Sequence, residues 1–417
     1  MEPSFREMTS VFGRIGLLSF GGPAAQISLM HQELVERRSW LDEQNYLRAL
    51  SLCMLLPGPE AMQLATYAGW RLRGVSGGLL AGGLFVLPGA MVIAVLVWLY
   101  AAFGDLPLVQ AAFLGIKAAV IVIVLQAVRA LSRKALTDRE HRLIAGLGFV
   151  AIFLFNLPFP LIILTAALWG YFRFQGNASA PPERPSPRLN RPIRTAIIWL
   201  TLWLGPLVAL SLSGHVLLSD LGWFFARLAV VTFGGAYAVL AYMTQTVVDQ
   251  YQWVSTSQMI DALGLAETTP GPLILVTQFV AMLSGQMNGG VSLALAAGLV
   301  ALWATFVPCF LWIFLAAPYL DHLATRPRLS AALHGITAAV VGVILNLSVW
   351  FGLNVLFTSM PQKSWGPISI PFPDIDTMEP VAVALTLMAG LLIFRLKTGM
   401  ATTLGLMACA GMGVYII

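Results

Sequence analysis

"SFGGPAA" (residues 19–25) stands inside an apolar run, and a near-copy, "TFGGAYA", stands at residues 232–238. Adjacent glycines, in the first case followed by Pro23, suit a continuous helix poorly. Glycine loses the most backbone freedom on helix formation, and proline lacks the N–H that the ladder needs. A chain that breaks its helix at one motif twice is duplicated, or has a use for the break, or both.

The duplication runs well beyond the motif. Adding 213 to residues 12–59 lands on residues 225–272, with 16 of 48 positions identical and no gap, among them Phe20, Gly21, Gly22, Trp40, Pro57, Gly58 and Pro59. Further on the offset becomes 220: Pro88 meets Pro308, and "GIKAAVIVIVLQ" (115–126) meets "GITAAVVGVILN" (335–346). Repetition on this scale sets the architecture. It divides the chain into a first copy at 1–173, a Pro- and Arg-rich flexible linker at 174–194, an unpaired apolar segment at 195–213, and a second copy at 214–417.

Composition places both copies in a bilayer. Hydrophobic residues make up 58% of the 417 positions and charged residues 10%, against about 25% charged in soluble domains. Apolar stretches such as Gly77–Phe103, Leu106–Leu131, Ala196–Leu212 and Leu293–Ala317 are of crossing length. The fold class expected is an all-α polytopic membrane protein. No cleavable signal follows "MEPSFREMTS". Cys53, Cys309 and Cys409 are too scattered for a disulfide framework or a metal site, and nothing resembles a nucleic-acid patch. No HExxH, P-loop or dinucleotide motif appears, which argues against ATP-driven pumping and against a redox enzyme; no cofactor is expected.

One unpaired crossing between the copies turns the second upside down, and the basic residues agree. Arg37/Arg38/Arg48, Arg71/Arg73 and Arg129–Arg142 crowd the first copy's loops, whereas 244–258 has no Lys or Arg and 284–290 no charge at all. Second-copy positives sit instead at Arg326/Arg328 and Arg395/Lys397. By the positive-inside rule the amino terminus and linker are cytoplasmic and the carboxyl terminus periplasmic, the inverted-repeat plan of secondary transporters. The same rule is violated in both copies if residues 11–29 cross the membrane. It is obeyed if 11–29 and 49–70, and their counterparts, dip to mid-membrane and return. Two re-entrant hairpins per copy followed by about four spanning helices are therefore expected; kinked full spans of the same parity are the alternative.

Where a helix restarts at a break, its amino end carries partial positive charge and unpaired N–H groups. Gly21, Gly22, Gly58, Gly234, Gly235 and Gly271 would let an anion approach that backbone; alternatively, they only permit close helix packing. Arg14 and Arg227 are repeat partners placed to grip oxyanion oxygens or to snorkel as anchors. Lys117, mid-helix with Thr337 as its counterpart, reads as an anion-facing or gating residue, or as the partner of a distant carboxylate. Glu60 and Glu267 are candidates for proton coupling, Glu60 equally for a helix-capping role. Thr268 and Thr269, with Gln63 and Gln278, are candidate polar lining. Asp261, opposite Arg48, reads as part of an interfacial helix with no further role.

The segments "FGGP", "LPGPEAMQLATYAGW" and "AETTPGP", with the duplicated plan, resemble the chromate ion transporter family in its long, two-domain form, over nearly the whole chain. The resemblance implies a bacterial inner-membrane carrier that exports chromate and confers resistance to it. Sulfate is a similar tetrahedral dianion that the motifs do not separate from chromate, and protons and a homodimeric partner stay open. The chain departs from the pattern at Ala236, where the second motif loses its proline.

Overall fold

The broken motif shapes everything around it. The computed structural model describes residues 3–20, 22–173, 192–233, 236–319, 327–365 and 368–416; Gly21, Gly234, Gly235 and linker residues 174–191 lie outside them, while Pro192, Ile193 and Arg194, expected in the linker, already belong to a helix. Helix α1 (Phe5–Leu18) opens on a capping box between Ser4 and Glu7 and stops at the double glycine. Helix α2 (Gly22–His31) runs into a π-helical turn at Gln32–Glu36. The chain has by then folded back, bringing the rings of Phe12 and Trp40 to 6.4 Å. Asp42 caps α3 (Glu43–Leu55) by accepting the Asn45 N–H at 2.8 Å, and the Tyr46 hydroxyl donates to the Ile27 carbonyl at 2.6 Å. After Pro57-Gly58-Pro59 comes α4 (Glu60–Phe103), which itself reverses at Arg73–Gly74, where Gly74 has φ +61°. Its two arms then lie so close that a Cβ on Gly82 would stand 2.3 Å from Thr66 Oγ1.

The remaining helices of the first copy are α5 (Pro107–Ala135), α6 (Arg139–Phe153) and α7 (Phe159–Arg173). The unpaired segment is α8 (Pro192–Leu212). The second copy repeats the plan with α9 (Val216–Val231), α10 (Ala236–Gln245) with a π turn at Thr246–Gln250, and α11 (Thr256–Thr268). A 3₁₀ turn at Leu273–Leu275 leads into α12 (Val276–Ala316), broken at Gly289–Gly290. Then follow α13 (Pro327–Leu356), α14 (Pro380–Gly390, prolonged by a π turn to Arg395) and α15 (Met400–Ile416). Left-handed residues recur at matching places: Ser39 and Gln252, Gly58 and Gly271, Gly74 and Gly290, Asn156 and Lys397. The duplication is therefore written in the backbone as well as in the sequence.

The fold is the all-α membrane class expected, with one local addition: between α13 and α14, strands β1 (Gln362–Trp365) and β2 (Ile368–Pro371) pair antiparallel, Trp365 opposite Ile368. This hairpin occupies an insertion peculiar to the second copy, since the repeat offset grows from 220 at Gly115/Gly335 to 241 at Asn156/Lys397. The helices after the breaks differ in length. Among the described residues five helices are long and apolar enough to cross a membrane, namely α4, α5, α8, the Leu273–Tyr319 stretch containing α12, and α13. The others are shorter; α6 has 15 residues and starts on Arg139, Glu140, His141 and Arg142, which curtails its apolar stretch. Exposed Ile193, Ile197, Ile198 and Leu212 on α8 are an exterior suited to lipid.

The chain forms two compact units, and neither is a copy. One comprises Met1–Trp98, Gln175–Val239 and Thr269–Ser330; the other Leu99–Phe174, Leu240–Thr268 and Ala331–Ile417. In the first, the helix prolines Pro88 and Pro308 leave the carbonyls of Leu84 and Ala304 without their usual N–H partners. Trp203 of α8 donates its indole N–H to Ala304 at 3.0 Å. Gly16 of α1 lies against Leu84, where a Cβ would be 2.2 Å from the carbonyl oxygen. In the second unit the packing is crossed between copies. Gly115 of α5 faces the Met407 carbonyl of α15, and Gly411 faces that of Ala111; Gly335 of α13 faces the Ala166 carbonyl of α7, and Gly170 faces that of Ala331. Within lipid, where apolar side chains gain little by leaving the solvent, such close small-residue contacts are what hold helices together.

A Cβ on Gly115 would sit 1.8 Å from the Met407 oxygen, whereas one on Gly413 would meet nothing within 4 Å. Gly115→Ala should therefore lower thermal stability in detergent by about 1–3 kcal/mol. Gly413→Ala should leave it unchanged or raise it slightly. Equal melting temperatures for the two variants would contradict the crossed packing.

Candidate functional site

At the breaks, the two copies complete each other. The Gly58 N–H donates to the Thr232 carbonyl at 2.8 Å, and the Gly271 N–H to the Ser19 carbonyl at 2.9 Å. Ser19 and Thr232 end α1 and α9, positions where carbonyls lack intrahelical partners. Gln26 adds a bond from its side-chain amide to the Gly271 carbonyl at 2.7 Å. The N–H groups of Gly58 and Gly271 therefore meet carbonyls, where the sequence suggested they would face an anion. The reason is elementary: a buried N–H beside an orphaned carbonyl takes it. Gly22 has φ +79° and open space around it.

The other sequence candidates are dispersed. Arg14 and Arg227 lie on exposed faces of α1 and α9, and Arg227 Nε donates to the Trp223 carbonyl one turn back at 3.3 Å. Glu60 opens α4, half-buried, near buried Cys53. Glu267 and Thr269 are buried, while the Thr268 hydroxyl caps the Leu265 carbonyl at 2.7 Å. The side-chain oxygens of Gln63 and Gln278 are buried acceptors; their amide nitrogens donate to the carbonyls of Pro57 and Ala90.

Lys117 is different. It lines a cavity of about 560 Å³ within the second unit, together with Asn156, Gln245, Asp249, Ser257 and Asn346. Gly264 lets α11 approach α5, so closely that a Cβ there would be 2.7 Å from Ile116 Cγ2. Ser257 and Asp261, four residues apart and so on one face of α11, both reach Lys117. Its Nζ lies 2.9 Å from Ser257 Oγ and 3.0 Å from Asp261 Oδ1. Asp261 is buried, and its second oxygen accepts the Tyr100 hydroxyl at 2.8 Å. Opposite stands α13, with Asn346, Trp350 and Asn354 at four-residue steps along the cavity wall. The π turn after α10 is tied to the end of α6 by Gln245 Nε2, which donates to Asn156 Oδ1 at 2.8 Å. The base of the inserted hairpin, through Thr358, Met360 and Pro371, completes the lining. Chemically this is a polar chamber with one ammonium, hydroxyl and amide groups, and the carboxylates Asp249 and Glu379.

Comparison with known proteins settles the lineage. The model of the chromate transporter family matches twice, over residues 6–171 and again over 219–414. The chain belongs to the chromate transporter family. Its relatives include the chromate transport protein of Cupriavidus metallidurans, 32% identical over 82% of this chain and 81% of that protein. A probable chromate transport protein of Synechococcus elongatus is also 32% identical, over 85% and 86%. The uncharacterized transporter YwrA of Bacillus subtilis is 31% identical over 37% of this chain and 88% of its own length, the size of a single copy. No solved structure matches the chain.

In this family member, Lys117 has the distant carboxylate partner that was one of its two sequence readings, and Asp261 has a role that the sequence reading denied it. A signal was present. Lys117 stands where the other copy has Thr337, and Asp261 where the other copy has Arg48. Two opposite charges, each unmatched in the repeat and each in apolar surroundings, are what an ion pair across a duplicated chain leaves behind. Removing one partner of a buried pair typically costs about 3–5 kcal/mol, because the survivor is left uncompensated. Lys117→Met should accordingly lower the unfolding temperature in detergent markedly, and Lys117→Met/Asp261→Asn should recover most of the loss. A double variant no more stable than the single one would show that the two charges are not coupled.

Proposed function

We propose that the chain is an inner-membrane secondary transporter that exports chromate, a tetrahedral dianion, and so confers resistance to it. The observation that carries this reading is the double family match, one for each copy, joined to a polar chamber lined by a lysine that stands inside an apolar helix of crossing length. An ionisable residue inside an apolar helix is costly and marks an ion path by default. Lys117 Nζ, the Ser257 hydroxyl and the amides of Asn156 and Asn346 have the chemistry to replace part of an oxyanion's hydration shell. The two copies have opposite orientations, with the amino terminus cytoplasmic and the carboxyl terminus periplasmic, and α1–α2 and α3 with the first arm of α4 dip into the membrane without crossing. In support, α1, α2 and α3 have 14, 10 and 13 residues, roughly 15–21 Å at 1.5 Å each, against a hydrocarbon core of about 30 Å. Alternating access then moves one substrate site between the two faces.

Energetics favour export. Moving a dianion out of an inside-negative cell is downhill by about 2.3 kcal/mol per charge per 100 mV, so the membrane potential suffices and protons through Glu60 or Glu267 are an optional addition. Everted vesicles carrying the protein should accumulate chromate when the lumen is made positive, without a pH gradient. Excess sulfate should compete if the site reads only shape and charge. Vesicles that take up no chromate under either an imposed potential or an imposed pH gradient would overturn the transport reading.

A further inference from the structure

We propose that Asp261 is a built-in counter-ion that keeps Lys117 closed to monoanions, so that a dianionic oxyanion occupies the chamber only by displacing this carboxylate from the ammonium. The inference rests on the reading of the Lys117 chamber as the anion site.

An ammonium has three N–H donors. In Lys117 one is donated to Ser257 Oγ at 2.9 Å, and the ammonium stands 3.0 Å from Asp261 Oδ1 as an ion pair. The Lys117 side chain is only 14% exposed and that of Asp261 is fully buried, so neither charge is well served by water. Tyr100 grips the far oxygen of Asp261 at 2.8 Å and fixes the carboxylate in place. The charges that face this cluster are few. On the chamber wall stand Asp249 and Glu379, and near Tyr100 stands Asp105; all are acidic. Among the described lining residues Lys117 is the one cation. With Asp261 engaged, an entering anion meets no net positive charge.

Displacement then becomes a contest that charge decides. Asp261 is tethered beside Lys117, so it competes at the high effective concentration of an intramolecular group. A monoanion carries the same charge as the carboxylate it must replace, loses its own hydration on entry, and gains nothing in Coulomb energy. A dianion doubles the attraction to Lys117 against a larger loss of hydration and a larger repulsion from Asp249 and Glu379, and its additional oxygens offset that cost by accepting from the hydroxyl and amides of the same wall. The abundant monovalent ions of a cell are thereby excluded without a size filter. Tyr100 and Ser257 act as positioning residues that set how firmly the counter-ion is held.

The test is chromate binding to purified full-length protein in nanodiscs, titrated with and without nitrate as the monovalent probe. Wild-type protein should bind chromate unaffected by a large excess of nitrate. Asp261→Asn should bind chromate on the order of tenfold more tightly and should become sensitive to nitrate. Tyr100→Phe, which keeps the ion pair and loosens only its grip, should shift both quantities in the same direction by less. Nitrate that displaces chromate from the wild-type protein in simple proportion to its concentration would overturn the proposal, whether or not any variant folds. So would a folded Asp261→Asn protein with wild-type discrimination. Lys117→Met protein that binds chromate as well as wild type would instead overturn the placement of the anion site itself.

Discussion

Two backbone hydrogen bonds, Gly58 to Thr232 and Gly271 to Ser19, carry the logic of the structure. A chain in lipid cannot leave peptide groups unsatisfied, yet this one interrupts its helices at four motifs within apolar sequence. Each interruption releases carbonyls at one helix end and N–H groups nearby. The first break of one copy is completed by the second break of the other, and the reverse. Neither copy could close its own breaks in this way. Duplication is therefore a structural requirement of the broken helices as they stand here.

The same reciprocity recurs where helices pack. Gly115 and Gly411 bring a helix of the first copy against one of the second, and Gly335 and Gly170 do so with the copies exchanged. Against this near-symmetric frame the asymmetric features are informative. Lys117, Asp261 and the inserted β hairpin each occur in one copy only, and all three belong to the unit that holds the chamber. Symmetry builds the scaffold, and departures from it supply the chemistry.

Much of this was legible in the sequence. The repeat offset, the four breaks and the extra helix α8 follow from identities such as Pro57-Gly58-Pro59 and from apolar run lengths, because steric and hydrophobic rules act locally. The family resemblance read from the break motifs was correct. Less legible was what the breaks bond to: a glycine N–H offered to an anion and one offered to a carbonyl look identical until the partner strand of chain is in place. Arg14 and Arg227 are repeated charges that suggest an anion grip, yet they stand on exposed faces. The role of Asp261 is not legible, since an acidic residue on a short helix reads as interfacial unless its distance from Lys117, 144 positions away in the chain, is known. The β hairpin lies in an insertion that has no counterpart in the first copy, so the repeat offers no guide to it.

The claim on which the rest depends is that the two copies fold only against each other. Splitting the chain within the linker, between residues 183 and 184, and expressing the halves separately and together tests it most directly. Expressed alone, each half should fail to give a stable monomer in detergent; expressed together, the two should co-purify through a tag on either one and unfold in a single transition. A half that is stable and monomeric on its own would contradict the crossed arrangement.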